Sequence, residues 1–105
     1  MKLSKQSKFE YLLGLLQEES AEIIQITNKC KRFGLYDKYP ADNFNNLTRL
    51  QNEVKDLLTI VGLLEGLYNI DLGLQSFDEE YTERKVEKIE KFMKYSENVG
   101  LLEGE

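Results

Sequence analysis

"LLQEESAEIIQI" (residues 15–26) decides how this chain folds. Leu15, Leu16, Ile23 and Ile26 recur at the three- and four-residue spacing of one helix face. Three glutamates, Glu18, Glu19 and Glu22, interrupt them. Positions three apart on an α-helix differ by about 60° and lie one turn apart on the same face. Glu19 and Glu22 are such a pair, and they fall where a core-facing helix would carry leucine.

The periodicity extends outward in both directions. It predicts a helix over residues 4–33, with Phe9, Leu12, Leu13, Leu16, Ile23, Ile26 and Cys30 on its apolar side. Gly34 is a stop signal, and Lys29, Lys31 and Arg32 suit a last helical turn. "LYDKYPADNFNN" (35–46) holds the only proline and reads as a loop. Its Tyr36, Tyr39 and Phe44 either pin the loop to the body or line a pocket.

A second helix is expected over Asn46–Tyr68, capped by Asn46 or Thr48. Leu47, Leu50, Val54, Leu57, Ile60, Val61 and Leu64 form its stripe, and Gly62 and Gly66 would allow a close helix approach. After "NIDLGLQS" (69–76) a third helix starts at Phe77 or Asp78 and runs to Asn98, with Phe77, Val86, Ile89, Phe92 and Met93 as its apolar members. The tail "GLLEGE" (100–105) reads as frayed, although Leu101 and Leu102 could dock. The expected fold is all-α: a single domain over 1–105, an antiparallel bundle of three long helices. The second helix is apolar almost all round over residues 57–64, so a homo-oligomer, dimer or tetramer, would complete the core.

The composition narrows the chemistry. There is no histidine, which removes Ser-His-Asp and Cys-His catalysis and His-ligated zinc. A single cysteine, Cys30, allows no internal disulfide and no CxxC motif. A metal would therefore be held by oxygen, which points to Mg²⁺, Mn²⁺ or Ca²⁺. The net charge of −5 argues against a nucleic acid polymer as partner. No signal-peptide pattern or membrane-length apolar run is visible, and a cytoplasmic setting, bacterial or phage, is the expectation.

The second helix repeats the acidic pattern. In "RLQNEVKDLLTIV" (49–61), Glu53 and Asp56 are three apart, and Glu53 sits in the stripe between Leu50 and Leu57. A lone Glu-x-x-Glu is ordinarily a solvated face, but two such pairs inside the stripes of neighbouring helices are another matter. If the helices pack antiparallel, Glu19, Glu22, Glu53 and Asp56 converge. Four anions among apolar neighbours must take up protons or find cations. One or two Mg²⁺ ions would meet that need.

"EESAE" (18–22) resembles the EExxE motif of the MazG-like all-α nucleoside triphosphate pyrophosphohydrolases, and "EVKD" (53–56) is similar to their ExxD motif on the next helix. The likeness covers the first two helices and extends loosely to the third; the gap between the motifs is long for the family. It implies a Mg²⁺-dependent enzyme, with Mn²⁺ as a substitute, that splits a nucleoside triphosphate into the monophosphate and pyrophosphate. Glu19, Glu22, Glu53 and Asp56 would be its metal ligands. Glu19 or Glu22 would take the proton of an attacking water, and Glu18 would be an outer residue or helper base. Phosphate also needs protein cations. The resemblance points to the third helix, where Lys85, Lys88, Lys91 and Tyr95 are the candidates, although alternating Lys and Glu is also what a solvated helix shows. Tyr11, Tyr36, Tyr39, Phe44, Tyr68 and Tyr95 are unranked candidates for stacking on a base. The alternatives are a dUTPase or dCTPase, a phosphoribosyl-ATP pyrophosphohydrolase, or a non-catalytic helical interaction module.

Overall fold

The computed structural model describes residues 6–104, and among them there are three helices and no strand: α1, Lys8–Phe33; α2, Asn46–Tyr68; and α3, Glu79–Asn98. The fold is all-α, as the periodicity predicts. The chain divides into two compact units, one ending at Leu72 and the other starting at Gly73.

In the first unit α1 and α2 form an antiparallel hairpin. The rings of Phe9 and Tyr68 meet edge to face at 4.9 Å, joining the start of α1 to the end of α2. At the other end the Leu47 N–H donates to the Leu35 carbonyl at 2.8 Å. The apolar stripes face one another across the seam, where Ile26 and Leu64 are the buried apolar side chains among the described residues.

The helix ends differ from expectation in instructive ways. Ser4 lies outside the described residues, but Gln6 and Ser7 are not helical, so α1 begins at Lys8. Ser7 caps it: its hydroxyl oxygen accepts the Glu10 N–H at 3.0 Å while the Glu10 carboxylate accepts from Ser7 in return. This reciprocal arrangement satisfies donors that a helix start leaves bare. At the far end Gly34 takes φ 98°, a backbone angle that glycine adopts without strain. For α2 the cap is Asn45, whose side chain accepts the Thr48 N–H at 2.9 Å. Asn46, expected as a cap, is instead buried and donates from Nδ2 to the Gly34 carbonyl at 3.0 Å.

The loop between α1 and α2 is held by polar bonds rather than by its rings. Asn46 N–H donates to the Asp37 carbonyl, and Arg49 pairs with Asp42 at 3.4 Å. Tyr36, Tyr39 and Phe44 are all exposed, so they do not pin it. Of the three, Tyr39 helps to line a hollow of about 260 Å³, with Phe33, Asp37, Lys38 and Pro40. Gly62 and Gly66 also depart from expectation. A Cβ at either would meet nothing within 4 Å, so within this chain they are not points of close approach.

Near the end of α2, Glu65 is buried and accepts the Leu72 N–H on Oε2 at 2.7 Å, drawing the following turn back onto the helix. In the second unit Asp78 caps α3 by accepting the Tyr81 N–H at 2.8 Å. The tail is less frayed than expected: the N–H groups of Leu101 and Leu102 both donate to the Ser96 carbonyl. No helix among the described residues is long and apolar enough to cross a membrane.

Candidate metal centre

Antiparallel packing brings the middle of α1 against the middle of α2, and there the acidic pairs meet. One carboxylate oxygen from each of Glu19, Glu22 and Glu53 lies within 4.8 Å of the other two. Among the described residues this is the one grouping of three acidic or sulfur- or imidazole-bearing side chains so close. On α1, Glu19 and Glu22 stand just before the half-buried Ile23 and the buried Ile26; on α2, Glu53 stands between the half-buried Leu50 and Leu57.

The electrostatic cost is visible. Oε2 of Glu19 and Oε2 of Glu53 are both shielded from solvent, and neither has a hydrogen-bond partner. Buried oxygens without donors are rare in folded chains and call for a proton or a cation. The Glu53 carboxyl is pushed up to about 7. The main cause is a hydrogen bond to Glu22 that exists only when Glu53 is protonated; burial and the charge of Glu22 add to it. Glu19 is also raised, first by burial, then by the charges of Glu22 and of Asp56.

Three of the four expected ligands therefore converge. Asp56 is exposed and is not among the three whose oxygens meet, although it is near enough for its charge to act on Glu19. Aspartate is one methylene shorter than glutamate, so from the same helix face its carboxylate reaches less far across the seam. Glu18 is exposed and outside the cluster. On α3, Lys85 and Lys88 line a hollow of about 230 Å³ with Tyr81 and Arg84. Lys91 and Tyr95 lie beyond it on the same helix and are exposed.

Two cations of the first unit were not singled out by the sequence. A hollow of about 240 Å³ opens beside the carboxylates, lined by Glu22, Gln25, Ile26, Lys29, Arg49 and Glu53. Lys29, which the sequence reading assigns to the last turn of α1, lies one turn before it and faces this hollow. The helical spacing carries the signal: Lys29 is seven residues beyond Glu22, and Arg49 four before Glu53.

The chain matches no protein-family model, no curated protein and no solved structure. The likeness to the MazG-like enzymes thus rests on the two acidic motifs themselves.

Proposed function

We propose that this chain is a divalent-metal-dependent nucleoside triphosphate pyrophosphohydrolase whose centre is built on Glu19, Glu22 and Glu53, with Asp56 at its edge. The observation that carries the reading is the convergence of three carboxylate oxygens within 4.8 Å, two of the glutamates having a shielded oxygen with no donor. The donor set is all oxygen, which suits Mg²⁺ or Mn²⁺. The order of the motifs along the chain, EESAE then EVKD, supports the reaction class.

When bound, the ion supplies positive charge against the phosphate oxygens and the charge that develops as the anhydride breaks. The rest falls to the side chains. Glu19, Glu22 and Glu53 hold the ion, and Asp56 adds negative charge beside them. A Glu19 oxygen takes the proton of the attacking water. The balance is triphosphate plus water to monophosphate plus pyrophosphate. Glu18 is proposed as an outer residue. A dimer or tetramer of this chain is also proposed. Its support is the apolar surface left on the helices, including Leu58, Leu63 and Leu67 of α2, all exposed.

The test is pyrophosphate release over a panel of canonical, deoxy and modified triphosphates and phosphoribosyl-ATP, with Mg²⁺. Turnover of one class, lost in Glu53→Gln and reduced in Asp56→Asn, is the expected result and identifies the substrate. No turnover on any member, or full activity in both variants, contradicts the proposal.

A further inference from the structure

We infer that Lys29 and Arg49 form the diphosphate-binding end of the centre, taking phosphoryl oxygens that the metal leaves free. The inference rests on the metal-site reading above and deepens it. Four observations support it.

The first is position. Lys29 and Arg49 line the same hollow as Glu22 and Glu53. They approach from opposite helices, one from each side of the seam, displaced from the carboxylates toward the Leu35–Leu47 end of the hairpin. A ligand lying in the hollow thus meets acids at one end and cations at the other. That polarity fits a metal-bridged phosphate chain, whose metal end needs carboxylates and whose far oxygens need cations.

The second is size. At about 240 Å³ the hollow is smaller than the roughly 300–1,000 Å³ typical of sites that enclose a whole organic ligand. It suits phosphoryl groups rather than a nucleoside. The third is lining. Ile26 is the one apolar side chain among its six lining residues, and no ring is present on which a base could stack.

The fourth is the availability of the cations. Arg49 pairs with Asp42 at 3.4 Å, with both side chains more than a third exposed. Such a pair is worth little, so its guanidinium can be exchanged onto phosphate at small cost. A guanidinium offers two parallel donors to a phosphoryl group, and a lysine offers a point charge.

The experiment is calorimetric titration of the full chain with inorganic pyrophosphate at saturating Mg²⁺, after separate titration with Mg²⁺ alone. Wild type is compared with Lys29→Gln, Arg49→Gln, Arg49→Lys and the α3 double variant Lys85→Gln/Lys88→Gln, with helicity checked by circular dichroism. Wild type is expected to bind pyrophosphate only with Mg²⁺. Lys29→Gln and Arg49→Gln should each weaken that binding tenfold or more, with partial rescue in Arg49→Lys, while Mg²⁺ binding alone is kept or tightened. If Mg²⁺ binds but pyrophosphate binds equally to wild type and both glutamine variants, the inference is overturned and the metal site stands. The same holds if wild type with Mg²⁺ binds no pyrophosphate, or if only the α3 variant loses it. If Mg²⁺ itself does not bind, the metal-site reading fails and the inference with it.

Discussion

Glu53 and Glu65 lie on the same helix and both turn inward, yet the molecule treats them in opposite ways. Glu65 is the more deeply buried, and its carboxylate is answered by the Leu72 N–H at 2.7 Å. Glu53 is less buried but has an oxygen with no donor and faces Glu19 and Glu22. Depth alone therefore does not mark a functional acid. A buried carboxylate with a backbone partner ties structure together; one held against like charges, with a shielded oxygen that no donor reaches, stores an unfavourable interaction that only a proton or a cation relieves.

Substitution separates the two most sharply. Glu53→Gln keeps the shape and removes one negative charge. It should cut metal affinity and pyrophosphate release by about a hundredfold or more, since even residues behind the ligands cost about 10–100-fold. The same change should raise the melting temperature of the metal-free protein at pH 8, because it lowers the repulsion at the seam. Glu65→Ala should do the reverse. It strands the Leu72 N–H and costs about 1–3 kcal/mol in urea unfolding, and the assembled centre should keep its metal affinity. If Glu53→Gln destabilises the metal-free chain as much as Glu65→Ala does, the contrast breaks.

The pH dependence sharpens the same contrast. Folding raises the Glu53 carboxyl from the usual 4.5 to about 7. Between those values the folded chain holds a proton that the unfolded chain has given up. Its contribution is complete below about pH 4.5 and is lost as pH climbs through about 7. Thermal melts of metal-free protein should show this loss between pH 5 and 8, and Glu53→Gln should remove much of it. A wild-type profile from this window that rises instead would contradict the shared proton at Glu53.

The smallest effect concerns the glycines of α2. Gly62→Ala and Gly66→Ala put a methyl group where nothing lies within 4 Å. Each should stabilise the helix by about 0.5–1 kcal/mol in chemical denaturation. A loss of stability instead, together with a shift in oligomer size on gel filtration, would mean that these positions meet a second copy.

Much of this was legible in the sequence, and the parts that were not have physical reasons. Helical period gave the three helices, because long apolar stripes leave little choice of face. The same stripes exposed Glu19, Glu22 and Glu53 as residues out of place. The cap of α2 was off by one, since Asn45 and Asn46 are equally good caps by type and only the path of the loop decides between them. Lys29 and Arg49 went unnoticed because each has an ordinary explanation, a last-turn cation and a solvated arginine; their role depends on which face of the hairpin they share. Glu65 went unnoticed, because its carboxylate accepts from the Leu72 N–H, and backbone groups carry no sequence signal.

Whether Glu19, Glu22 and Glu53 form a divalent-metal site is decided by calorimetry of Mn²⁺ or Mg²⁺ binding in two buffers of different ionisation enthalpy. Near pH 6 the expected result is saturable binding to wild type with release of about one proton per site, binding that tightens by up to about tenfold per pH unit toward pH 7, and loss of binding in Glu53→Gln. Absence of saturable binding at millimolar metal, or binding that Glu53→Gln leaves intact with no proton released, would contradict it.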